Sequence, residues 1–100
     1  MIELFHDNIL VEELVKNTKA GVLTVNQDSS SPYMYVKIIK SAIDAYNMLS
    51  EQSDLVRNSN NDDLVLIIRR TAKDPFINNQ FFISSKDVRA VITKEYFDSL

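Results

Sequence analysis

Phe5-His6-Asp7-Asn8-Ile9-Leu10-Val11, inside the longer run Ile2–Glu12, is the stretch on which the fold turns. Ile9-Leu10-Val11 is a short aliphatic run with Asp7 and Asn8 before it and acid residues after it. Such runs read as buried strands. The reading predicts a first strand over Ile2–Glu12. Behind it lies a polar segment from about Val15 to Ser31, rich in Lys, Asn, Thr, Gln, Asp and Ser. Its middle holds an isolated apolar patch, Ala20-Gly21-Val22-Leu23-Thr24-Val25. Residues 16–30 carry too few apolar groups to offset their ordering entropy, so the expectation is a mobile loop. Long loops inside small domains are functional or disordered. The patch then has two readings: a surface for a partner, or a further strand with Gly21 ending a turn. Composition alone favours the strand.

Downstream, Tyr33 to Lys40 alternates, with Met34, Val36 and Ile38 on one side and Tyr33, Tyr35 and Lys37 on the other. That is strand period, and Ile39 is its exception. Leu64 to Ile68 is a second buried run, with either Leu64, Leu66 and Ile68 or Val65 and Ile67 facing the core. Gln80–Ser84 and Val88–Ile92 complete the strands, after turn signals at Asp74-Pro75 and Asn78-Asn79. Short strands spaced by turns indicate a small barrel or sandwich. The segment after Lys40 argues differently. Val36, Ile39, Ile43, Tyr46 and Leu49 fall at helical spacing, and Ser41 with Asp44 has capping-box form. This predicts a short helix over about Ala42–Ser53. Asn58–Asp63 reads as a polar turn.

One hundred residues make one domain with a modest core. Oligomerisation is the natural supplement to so small a core. The net charge of −3 gives no global electrostatic case for nucleic acid or an anionic membrane. With no cysteine there is no disulfide framework, thiolate nucleophile or cysteine metal site. No basic stretch precedes an apolar run at the start, and the longest apolar run, Leu64–Ile68, is far short of a membrane span. The expected location is the cytoplasm.

Catalytic constellations are weak. His6-Asp7 is the only histidine beside a carboxylate, and neighbours on a strand point to opposite faces. Glu12-Glu13 and Asp62-Asp63 are adjacent pairs, not carboxylates held across a cleft. Arg69, Arg70 and Lys73 form the one basic cluster. With Tyr33, Tyr35, Phe81 and Phe82 as stacking rings they permit a barrel that binds single-stranded nucleic acid. A salt-bridged subunit interface or a solvated strand end is the plainer reading. There is no phosphate-binding glycine loop and no metal-ligand spacing.

Four segments in order resemble the GroES-like co-chaperonin (chaperonin-10) family. Phe5-His6-Asp7-Asn8-Ile9-Leu10-Val11 is similar to the family's first strand, which carries a His-Asp pair before an aliphatic run. Ala20-Gly21-Val22-Leu23-Thr24-Val25 is similar to the glycine and apolar residues of its mobile loop. Asp63-Leu64-Val65-Leu66-Ile67 resembles a late core strand. Phe82–Ile92 resembles the closing strand, where Ser84 and Asp87 match a recurring Ser-x-x-Asp. The chain departs from the family in having a single glycine, and its middle third does not match. It resembles a remote, bacteriophage-type member.

The resemblance implies a mainly β fold: a small, partly open barrel with a long mobile loop (about 15–31) and a protruding roof hairpin, where the sequence favours a helix (about 41–60). It implies no enzymatic activity and no cofactor of its own. The subunit would form a homo-oligomer, a heptamer, that caps a GroEL-type chaperonin around encapsulated substrate proteins. ATP would be bound by that partner. Gly21, Val22, Leu23, Thr24 and Val25 would bind the chaperonin. Leu4, His6, Val88, Ala90, Val91 and Ile92 would form the subunit interface. The alternative is an oligomeric barrel that serves single-stranded nucleic acid or viral assembly, without a chaperonin.

Overall fold

A computed structural model of the protein describes residues 1–15 and 31–100. Six strands pair antiparallel into one sheet: β1 (Asn8–Leu14), β2 (Tyr33–Ser41), β3 (Leu64–Arg69), β4 (Asp74–Ile77), β5 (Gln80–Ser84) and β6 (Val88–Thr93). Their spatial order is β4-β5-β1-β2-β3-β6. The fold is mainly β and the sheet does not close, which agrees with a partly open barrel.

The connection after β3 shows that the sheet curls. The chain leaves at Arg69 and re-enters at Asp74 in β4, four strand spacings away. In a flat sheet that gap is about 19 Å. A 3₁₀ turn at Arg70–Ala72 followed by Lys73 bridges only about 13 Å. Curvature must supply the difference, and it brings the two ends of the strand order toward each other.

One face of the curled sheet holds the main core. Ile9 and Val11 from β1, Met34, Val36 and Ile38 from β2, Leu66 and Ile68 from β3, and Phe81 and Ile83 from β5 form a single buried cluster. The alternation read for β2 holds: Met34, Val36 and Ile38 are buried, and Ile39 is exposed on the opposite side. In β3 the two alternatives are not exclusive. Leu64, Val65, Leu66 and Ile68 are all buried and Ile67 is half-buried. β3 is flanked by β2 and β6, and its second face is covered as well.

That second cover is a helix the sequence reading lacked. This helix, α3, spans Lys94–Ser99 near the end of the chain and starts from Thr93, whose hydroxyl accepts from the Tyr96 N–H. Its Phe97 is buried and meets the Tyr35 ring edge-on, with centroids 5.0 Å apart.

The segment after β2 contains two helices, α1 (Ile43–Gln52) and α2 (Asp54–Asn58). The helical reading of this region stands, and the roof hairpin implied by the resemblance does not. Nor does the segment protrude: Ala42, Ala45 and Leu49 pack against the main core, and Val56 is buried. The expected cap is also corrected. Ser41 ends β2 opposite Ile9, and Ala42 is the helix N-cap without a side-chain bond. The first serine to cap a helix here is Ser53, which accepts from the Val56 N–H.

Three further expectations change. The first strand begins at Asn8, not Ile2, and runs to Leu14. His6 has φ 60, a left-handed geometry that breaks an extended run, and the Asn8 N–H bonds back to the Phe5 carbonyl. Asp74-Pro75 opens a strand where a turn was expected. β4 lies at the sheet edge, where proline's missing N–H costs no ladder bond. The turn is Asn78-Asn79, with Asn78 at φ 46, a conformation asparagine tolerates. Asn61–Asp63 is a 3₁₀ turn. Among the described residues, no helix is long and apolar enough to cross a membrane.

Candidate partner-binding end of the sheet

The residues nominated for chaperonin binding, Gly21, Val22, Leu23, Thr24 and Val25, lie outside the described residues, as does most of the loop expected over 15–31. The structure does describe both stems from which that segment departs. β1 and β2 are adjacent and antiparallel, and Leu14 pairs with Tyr35. Two residues suffice to join such neighbours. Here residues 15–32 do so. The excess chain leaves from one end of the sheet.

Four elements meet at that end. The β1 stem is held at Glu13, whose N–H donates to the Asn79 carbonyl at 3.1 Å. Its carboxylate faces the Lys73 ammonium at 3.8 Å. Gln80 Nε2 donates to Glu12 Oε1 at 3.4 Å. The β2 stem is held at Ser31 and Pro32. Arg70 Nε donates to the Ser31 carbonyl at 2.7 Å, and the Arg70 N–H donates to the Pro32 carbonyl at 2.9 Å. The Ser31 hydroxyl accepts from the Tyr33 N–H at 3.1 Å, so Ser31-Pro32-Tyr33 is a local turn. No spacing in the sequence announces these bonds, because three of the acceptors, at Asn79, Ser31 and Pro32, are backbone carbonyls and each donor lies on a distant segment.

Two of the three side chains of the basic cluster, Arg70 and Lys73, are engaged within the chain. Arg70 is engaged by the β2 stem. Lys73 sits between Glu13 and the Phe81 ring, 5.4 Å from its centroid. The four rings are not brought together either. Phe81 is in the core, Phe82 packs on Phe76 at 4.9 Å, Tyr35 packs on Phe97, and Tyr33 is exposed. Stacking on successive bases needs exposed rings along one groove.

The nominated interface residues separate into two groups. Val88, Ala90, Val91 and Ile92 lie on β6, an edge strand. Val88 and Val91 lean on the core, Ile92 is half-buried opposite Val65, and Ala90 is exposed. Leu4 packs against the core from the N-terminal segment, and His6 is exposed in its turn. Ile2–Phe5 line a shallow hollow of about 260 Å³ with Asp74 of β4 and Phe82 of β5. The first group thus lies on one edge strand, whereas Leu4 and His6 lie in the segment before β1, whose Ile2 carbonyl accepts from the Lys40 ammonium of β2.

His6-Asp7 is not a strand pair but a turn, and only Asp7 is engaged. It accepts from the hydroxyls of Ser84 and Ser85. The Ser84 bond chiefly holds its carboxyl below the usual carboxylate range. Ser84 also caps the 3₁₀ turn Ser85–Asp87, and Asp87 Oδ2 accepts from the Ser84 N–H at 3.0 Å. The Ser-x-x-Asp spacing is thus a capping box. It splits the closing strand implied by the resemblance into β5 and β6. No family model, no curated protein and no solved structure matches this chain.

Proposed function

We propose that the chain is a subunit of a GroES-like co-chaperonin, a ring that caps a GroEL-type chaperonin and assists protein folding without chemistry of its own. The observation that carries this is the exit of residues 15–32. A connection far longer than its neighbouring strands need leaves one end of the sheet, and in the sequence it bears Gly21-Val22-Leu23-Thr24-Val25. Val22, Leu23 and Val25 are the anchors for apolar grooves on the partner.

The two unpaired edge strands, β4 and β6, support a ring. Unpaired strand edges invite pairing with another chain. An edge at each end of the strand order suits head-to-tail contact, the geometry that closes into rings. A heptamer presents seven weak anchors, and once one engages the rest bind at high effective concentration. Nucleotide is bound and hydrolysed by the partner, which also encloses the substrate protein. The setting is the cytoplasm, that of the host for a viral protein.

Leu23→Asp tests this. A carboxylate driven into an apolar groove without a partner is strongly unfavourable. The expected result is loss of co-migration with a chaperonin in the presence of nucleotide, with native mass unchanged. Normal capping by the variant excludes Leu23 as an anchor. A wild-type chain of monomeric native mass that binds no chaperonin removes the proposal.

A further inference from the structure

The Arg70–Lys73 turn contacts both stems of the long connection. It leaves β3 and, on its way to β4, passes the ends of β2 and β1. At β2 it binds the Ser31 and Pro32 carbonyls through Arg70. At β1 it meets the Glu13 carboxylate through Lys73. The Lys73 N–H closes the turn on the Arg70 carbonyl at 3.4 Å, so the two contacts belong to one short rigid unit. Ala72 fastens that unit to the core.

We infer that this turn is a bracket that sets the separation and direction in which residues 15–32 leave the sheet, and through them the affinity of the partner-binding segment. The binding consequence rests on the proposed function; the bracket itself rests on the bonds alone.

Two effects compete when the bracket is cut. Freeing a residue or two at a stem lengthens the connection slightly, and closure entropy changes only logarithmically with length, a factor below about two. Losing the fixed direction of the stem is larger. Residues that were held before binding must then be ordered on binding, and preorganisation of this kind is worth about tenfold in affinity. Direction outweighs length. The two contacts are unequal. Arg70 makes a short bond to a carbonyl that is half-buried with it. Lys73 and Glu13 are about one-third exposed at 3.8 Å, and such pairs contribute little. Arg70 is the principal positioning residue.

The test compares the full-length chain with Arg70→Ala, Arg70→Lys and Lys73→Met. Amide hydrogen exchange reads the bracket without any partner. Arg70→Ala removes the Nε bond to the Ser31 carbonyl and keeps the backbone bond to Pro32. Exchange of the Tyr33 N–H, which donates to the Ser31 hydroxyl, rises about five- to tenfold, while Val36 and Leu66 amides and the urea midpoint stay unchanged. Arg70→Lys, which retains a cationic donor, restores most of the protection, and Lys73→Met changes it less than twofold. Binding to a purified GroEL-type chaperonin with nucleotide then falls about tenfold or more for Arg70→Ala and recovers in Arg70→Lys. Unchanged Tyr33 exchange overturns the bracket. Faster exchange with undiminished capping overturns its role in affinity. If wild type binds no chaperonin, the proposed function fails, and the exchange result alone decides the bracket.

Discussion

Leu66→Ala probes the core at its most constrained point. Leu66 is fully buried, and its strand neighbours are Val36 in β2 and Val91 in β6. Removing three carbon groups forfeits about 2.4 kcal/mol of transfer free energy, at about 0.8 per group. The neighbours are held by strand pairing on both sides, so the site cannot collapse. A residual cavity of some 60–80 Å³ adds about 1.5–2 kcal/mol at about 24 cal/mol per Å³. The expected cost is about 4 kcal/mol. Ile67 on the other face is only half-buried, so Ile67→Ala should cost about half as much. A domain of this size is stable by about 5–15 kcal/mol, so Leu66→Ala removes a large share. Urea unfolding at one fixed protein concentration reads both. A 4 kcal/mol loss moves the midpoint by about 2–3 M at an m-value near 1.5 kcal/mol/M, which should itself stay constant. A cost below about 1.5 kcal/mol for Leu66→Ala, or a larger cost for Ile67→Ala, refutes the assignment of the main core to the Leu66 face.

Phe97→Ala tests the C-terminal cover. The ring is buried against Tyr35, but the helix is short and terminal, so the loss should lie near the low end for a buried Phe, about 3 kcal/mol. Thermal melting should fall by more than about 10 °C; a shift under about 2 °C would show that α3 does not hold the second face. Asp7 tests the N-terminal latch through pH. Its folded carboxyl is lowered by the Ser84 bond. Its contribution is therefore present above the unfolded value of about 3.9 and lost as pH falls through the folded value. Asp7→Asn should flatten the acid limb of stability below about pH 4, and identical acid limbs for the two chains would exclude the latch.

Local order was legible in the residues wherever one backbone geometry dominated. The period-two pattern of Met34, Val36 and Ile38 marked β2 and its buried face. The run Leu64–Ile68 marked a core strand, and the helical spacing of Ile43, Tyr46 and Leu49 marked α1 within a residue at each end. The candidate site was legible only in part. Residues 15–31 stood out as a polar connection with an apolar patch, whereas the stems that hold it did not stand out at all.

Tertiary structure decided what depends on partners distant in the chain. Periodicity cannot distinguish a strand covered on one face from one covered on both, so the burial of Val65 together with Leu64 and Leu66 follows from tertiary neighbours, β6 and the C-terminal helix among them, not from β3 itself. Asp74-Pro75 carries a turn signal, yet it pairs as a strand because curvature brings it to the β5 edge, where proline is tolerated. His6 sits in a pattern that reads as extended, but the chain turns there so that Asp7 can reach Ser84 and Ser85. Arg70 and Lys73 read as a basic cluster, and only the crossing from β3 to β4 sets them against Ser31 and Glu13. The physical division is range. Side-chain period and backbone preference act within a few residues, whereas pairing across the sheet joins groups whose separation along the chain leaves no trace in local pattern.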